Sequence, residues 1–230
     1  SDGRPGHYRQ SEGMAMALQR YYDVNVQWLE VFRRNRLIGL KAQTWLCKLA
    51  GPWRDRLWNF LFDITDQIIP EDIDIIVSAG GDTLIPNILL ADKIGSKSVF
   101  SGSLRRVPPA WLTANIINYP EMAKPKNVVL TLKPNAVEPY KIEACAQDTI
   151  AVFIGGNSGT HSYEIGDWSN LIKLLRSAKE ATGLKLEIIT SRRTGRQVES
   201  LIKVAKSMDI ADELFLYTDV SAQPIASYLA

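Results

Sequence analysis

Two short apolar runs, Ile73–Val77 and Thr149–Ile154, each pass into a turn built on adjacent glycines, Gly80-Gly81 and Gly155-Gly156. Runs of this kind read as buried parallel strands. A glycine turn after the strand lets backbone N–H groups approach a ligand, and the helix that follows adds the positive end of its dipole. A chain that repeats this plan folds as α/β, with parallel sheets whose ligands bind beyond the carboxyl ends of the strands. A third glycine-containing polar loop, Asp2-Gly3-Arg4-Pro5-Gly6-His7, opens the chain, and the chain's two histidines close two of the three loops. Three such loops point to an anion-handling site, with phosphate the obvious anion. The plain alternative is that βα units need tight turns whether or not they bind anything.

The remaining pattern fills in the elements. Ser11–Tyr22 has helical spacing, Asn25–Val31 alternates as a strand would, and Arg33–Ile69 reads as a long helical stretch broken at Gly51-Pro52. Leu84–Asp92 reads as a helix, followed by strands at Ser98–Phe100, Ile116–Asn118 and Val128–Leu132. The pattern then restarts after Thr149–Ile154 with a helix over Asp167–Thr182, capped by Asp167 and stopped by Gly183, and a strand over Leu184–Thr190. A helix over Arg196–Met208, a strand over Glu213–Tyr217 and the start of another helix complete it. The expected fold is two Rossmann-like domains with parallel sheets. Residues 1–133 form the first, 134–147 a proline-bearing linker, and 148–230 an incomplete second. Only Ser1 precedes the first loop, and Ile225–Ala230 stops inside a helix-like stretch, so the sequence reads as truncated at both ends.

Composition narrows the function classes. A net charge of +2 with mixed signs gives no case for nucleic acid. Cys47 and Cys145 lie too far apart for a disulfide framework or a zinc site, which leaves buried thiols in a reducing compartment. No apolar run is long enough to span a membrane and no secretory signal opens the chain, so a cytoplasmic address is expected, with peripheral membrane contact as its variant.

Chemistry is expected first at Gly155-Gly156-Asn157-Ser158-Gly159-Thr160-His161, with backbone donors, two hydroxyls and an imidazole. It is neither a P-loop nor a dinucleotide fingerprint, which disfavours ATP hydrolysis and dehydrogenation. The next strand ends in Thr190-Ser191-Arg192-Arg193-Thr194, where paired arginines match bidentate phosphate recognition; the alternative is a solvated helix start. Cations there oppose the helix dipole unless an anion is present. His7 is a candidate general base, or else a residue that only shapes its loop. Asp2 and Asp82 are its candidate partners, alternative bases, or turn-stabilising aspartates.

The strings Asp2-Gly3-Arg4-Pro5-Gly6-His7-x-x-Gln10-Ser11 and Thr190-Ser191-Arg192-Arg193-Thr194, with the Gly155-Gly156 loop, resemble the mitochondrial-fission-factor ELM family over most of the chain. Bacterial members of that family are labelled nucleoside-diphosphate-sugar epimerases, but no dinucleotide fingerprint or Tyr-x-x-x-Lys supports that label. The resemblance implies a GT-B glycosyltransferase-like fold, similar to the lipid-linked murein N-acetylglucosaminyltransferases. It puts His7, with Asp2, Gly3, Gly6, Gly80 and Gly81, on the acceptor side, and Gly155–Thr160 on the nucleotide diphosphate. The implied substrate is a nucleotide sugar, with UDP the candidate nucleotide, and no covalent cofactor or metal is demanded because arginines and helix N-termini can neutralise the leaving group. The family continues with a Thr-Glu-Asp-Ser-type loop and a Ser-Glu-Ala helix, and this chain ends before them.

Between Val31 and Arg54 lie six basic residues and no acidic one, with Trp45, Trp53 and Trp58 interleaved among leucines. That pattern suits an anionic membrane surface or a lipid-linked acceptor. It suits equally a helix pair that covers the first sheet with its tryptophans in the core. The sequence thus supports two functions: sugar transfer to a membrane-associated acceptor, or a non-enzymatic membrane-surface scaffold of the fission-factor type.

Overall fold

A computed structural model describes residues 1–35, 37–50, 53–64, 72–123, 126–137, 148–157 and 161–219. The expected break at Gly51-Pro52, Cys145, linker residues 138–147 and the terminal helix at Ile225–Ala230 lie outside them. The chain forms two compact units, Ser1–Val137 and Glu138–Ala230.

Unit 1 is built on a four-stranded parallel sheet, β3 (Ile75–Ala79), β4 (Lys97–Ser101), β5 (Ala114–Ile117) and β6 (Asn127–Val129), in that spatial order. Helix α4 (Leu84–Ile94) connects β3 to β4 and ends at Gly95, whose φ of 72° closes the helix in the left-handed region. The next two crossovers hold single 3-10 turns, Pro109–Trp111 and Pro120–Met122, in place of helices. Prolines open both turns, where the missing N–H costs no hydrogen bond.

Three expectations for this unit need correction. Helix α1 spans Pro5–Gln19, so His7 lies inside its first turn and the polar loop stops at Arg4. Proline at the first helical position is pre-set for this start. The strand expected over Asn25–Val31 is found at β1 (Val31–Arg33), antiparallel to β2 (Phe62–Ile64) inside the supposed helical stretch. Among the described residues only Val31 of the alternating stretch joins a ladder; Trp28 instead stacks on Tyr8 of α1 at 4.0 Å between ring centroids. Between the two short strands run α2 (Leu40–Ala50) and α3 (Arg54–Leu61). Their buried side chains Cys47, Trp58 and Leu61 join Leu84, Ile85, Ile88 and Leu89 of α4 in one core.

Unit 2 carries a parallel sheet, β7 (Thr149–Ile154), β8 (Lys185–Thr190) and β9 (Glu213–Phe215), in sequence order. Helices α5 (Ile165–Thr182) and α6 (Arg196–Ser207) connect them. Leu186, Ile188, Ile202, Ala205 and Leu216 form the core. Helix α5 ends at Gly183 with φ 68°, as its sequence predicts. Its N-cap is Glu164, not Asp167; Asp167 sits three residues on and returns its carboxylate to the Glu164 amide at 2.8 Å, completing a capping box.

Candidate functional site

In unit 2 the parallel pairing brings Ile154 beside Thr190, so the loops that follow β7 and β8 leave the same sheet edge side by side. One side chain clips them together. The buried Thr194 hydroxyl lies 2.8 Å from the Ile154 carbonyl and 2.9 Å from the Gly155 carbonyl, sharing its proton between them, and it accepts the Ser191 amide at 2.9 Å. Thr194 is therefore a tie between loops and not the anion ligand expected from its sequence. Gly156 makes the close approach possible, because a Cβ there would run into the Arg193 carbonyl. Asn157 Oδ1 accepts the Tyr163 amide at 2.8 Å and folds the loop back toward α5. Ser158, Gly159 and Thr160 lie outside the described residues. His161 is exposed, as are Arg192 and Arg193, and among the described residues neither guanidinium has a carboxylate partner.

The two helix N-termini at this edge differ. That of α5 is already served by the Glu164 and Asp167 carboxylates, so it offers little to an external anion. That of α6 begins at Gly195 with no side-chain cap, and Arg192, Arg193 and Arg196 flank it in sequence. Uncompensated cations at a helix N-terminus favour an anion among them. The acidic residue of the first turn, Glu199, faces inward. Its buried carboxylate accepts the Thr190 hydroxyl at 2.7 Å and the Thr218 hydroxyl, while Thr190 in turn accepts the Tyr217 amide at 2.7 Å. Burial pushes the Glu199 carboxyl up, but the hydroxyls of Thr218 and Thr190 and the backbone amides of Thr218 and Tyr217 outweigh it and hold the group below its ordinary range. This carboxylate ties the end of β8 and the loop after β9 to α6. Nothing in the sequence marked Glu199, because a glutamate on an amphipathic helix reads as part of the solvated face.

Unit 1 assembles a second cluster at the carboxyl ends of β3 and β4. His7 Nδ1 lies 2.8 Å from Asp2 Oδ2, and the Asp2 side chain is only 5% exposed. Gly80, at φ 93°, has no Cβ because the His7 ring occupies that space. Asp82 is held by Arg4 at 3.2 Å and Arg33 at 3.3 Å. Two guanidiniums make it an anchor for the loop. Gly81 lies beside the Arg105 guanidinium, and Arg105 itself has a left-handed backbone at φ 53°. Gly3 also takes positive φ, and Gly6 falls inside α1 with open space around it. Gln10, one helical turn beyond His7, accepts the Ser101 hydroxyl at 3.2 Å and fixes α1 to β4. The sequence reading missed Arg4, Arg33 and Arg105. Arg105 follows the same signal as the other loops, since strand β4 also passes into a glycine turn, Gly102.

The tryptophans divide. Trp58 is 6% exposed in the unit 1 core, which removes it from any membrane contact. Trp45 and Trp53 are 61% and 56% exposed, and Leu37 and Phe60 are exposed beside them in sequence. The Arg56 guanidinium stacks on Trp53 at 4.3 Å. Among the described residues no helix is long and apolar enough to cross a membrane, and no three His, Cys, Asp or Glu side chains gather as a metal site would require.

Among solved structures the chain is similar to MurG of Acinetobacter baumannii, at 15% identity and a TM-score of 0.41, over 100% of this chain and 70% of that one. No curated protein sequence matches the chain. The sequence pattern described as mitochondrial fission ELM1 matches residues 5–230, nearly the whole chain. By that match the chain belongs to the mitochondrial fission ELM1 family.

Proposed function

We propose that the protein transfers a sugar from a nucleotide sugar to a membrane-associated acceptor. One observation carries the reading. The Thr194 tie sets the Gly155-Gly156 turn and the Ser191–Arg193 segment side by side at the uncapped end of α6, with two arginines unmatched by any described carboxylate. A sugar diphosphate would present its charge there to the loop amides and to Arg192 and Arg193. As the anomeric C–O bond to the diphosphate breaks, its electron pair would go to the departing phosphate oxygen, and the charge added to the diphosphate would be stabilised by donors already in place. The acceptor oxygen forms the new bond to the anomeric carbon and gives up its proton to a general base, the role for which His7 of unit 1 is the candidate.

The exposed Trp45, Trp53, Leu37 and Phe60, with Lys41, Lys48 and Arg56, support an acceptor at a membrane surface. The same residues also support a second reading, a non-enzymatic scaffold that uses this face to hold a membrane or partner. A thermal-shift panel of nucleotide sugars, followed by product analysis with the stabilising donor, separates the two. A true donor stabilises the fold by mass action, by about 2.7 kcal/mol at a hundred times its dissociation constant, and so raises the midpoint. The scaffold reading predicts no shift with any donor and no transfer.

A further inference from the structure

We infer that Asp2 is the positioning residue for His7: it holds the ring proton on Nδ1 and leaves Nε2 as the lone pair that takes the acceptor's proton. The inference deepens the proposed reaction and rests on it for its catalytic meaning, but the tautomer itself follows from the local geometry. Asp2 Oδ2 stands 2.8 Å from Nδ1, and the other carboxylate oxygen accepts the Arg4 amide at 3.2 Å. An ionised carboxylate only accepts hydrogen bonds, so an unprotonated Nδ1 at that distance would set two lone pairs against each other. The proton therefore sits on Nδ1, and the hydrogen bond made by one ring nitrogen decides the state of the other. Among the described residues Nε2 has no hydrogen-bond partner. The ring cannot readily turn away, because it lies against the bare backbone of Gly80, and α1 is tied to β4 through Gln10 and Ser101.

A purely structural histidine would need one hydrogen bond and any tautomer. This one is held by a nearly buried carboxylate drawn from only five residues upstream, on the far side of the Gly3 turn. Arg4 Nε is 3.8 Å from the same Asp2 oxygen, so a cation and the imidazole meet at one carboxylate oxygen.

The chain's two histidines make the test direct. Long-range 1H–15N spectra of the protein labelled at histidine, taken at about pH 8, above the ordinary imidazole range, report which ring nitrogen carries the proton. His7→Gln assigns its own signals, and His161 serves as the internal comparison. The expected wild-type result is Nδ1–H for His7; Nε2–H as the dominant form overturns the inference without any variant. Asp2→Asn should shift His7 to Nε2–H or to a mixture, because the amide can donate to Nδ1. It should also lower kcat on the order of 10²–10⁴-fold, with the donor KM little changed. Gly80→Ala, which displaces the ring and leaves Asp2 intact, should abolish the Nδ1–H signature too. An Asp2→Asn protein that keeps Nδ1–H and full turnover contradicts the inference. Wild-type Nδ1–H with no transfer to any acceptor would instead leave the tautomer assignment standing and sink the glycosyltransferase reading.

Discussion

Replacing Thr194 by valine removes one oxygen and almost no volume, yet that oxygen joins three backbone groups. The Ser191 amide loses its acceptor, and the Ile154 and Gly155 carbonyls lose a shared donor. Gly155 is exposed and water can serve its carbonyl, so the main losses fall on Ser191 and Ile154. A buried donor left unsatisfied costs about 1–3 kcal/mol, and a buried carbonyl with a second lone pair costs less. The expected destabilisation of unit 2 is therefore about 2 kcal/mol, which for a unit of this size lowers its midpoint by roughly 8–16 °C. Binding should fall as well, because the clip sets the spacing between Gly156 and Arg193. Urea unfolding followed by circular dichroism measures the first effect and calorimetric titration with UDP the second. Thr194→Ser keeps the hydroxyl and should restore most of both. A valine variant with unchanged stability, or a serine variant as damaged as the valine one, would refute the claim that this hydroxyl holds the two loops together.

Glu199 gives a pH-linked prediction: its folded carboxyl lies below the ordinary range, so its stabilisation is complete above the unfolded value and is lost as pH falls through the folded one. Glu199→Gln should therefore flatten the acidic limb of the stability–pH curve and leave little pH dependence of its own there. Trp58→Ala should cost about 3–5 kcal/mol, while the double variant Trp45→Ala/Trp53→Ala should leave the unfolding curve in place and reduce flotation with vesicles containing phosphatidylserine; unchanged flotation would remove the membrane reading of this face. Gly13→Ala puts a Cβ 2.5 Å from the Asn135 backbone, so despite alanine's better helix propensity it should destabilise unit 1 by about 1–3 kcal/mol in urea unfolding.

What the sequence made legible was the part dictated by local pattern. Thr149–Ile154 is found at its predicted bounds because an uninterrupted apolar run has one buried solution in a parallel sheet. Gly183 stops α5 because left-handed backbone there suits glycine. Residues 31–64 were misread because helical and strand periods overlap in a short, aromatic-rich stretch, and the β1–β2 ribbon depends on a pairing between Val31 and Ile64 across more than thirty positions. The site shows the same division. The glycine turns and arginine pair announced themselves by residue type, and the family resemblance followed from them. Which N-terminus was open did not, because the α5 capping box cancels a dipole that α6 retains. Nor did the burial of Thr194 and Glu199, whose polarity reads as surface until the packing around them is known.

Calorimetric titration with UDP and with uridine decides whether the loops after β7 and β8 form a diphosphate site. UDP is expected to bind clearly more tightly than uridine, and Arg192→Ala/Arg193→Ala to remove most of that difference while uridine binding changes little. Equal affinity for the two ligands, or a preference for UDP that survives loss of both arginines, would contradict it.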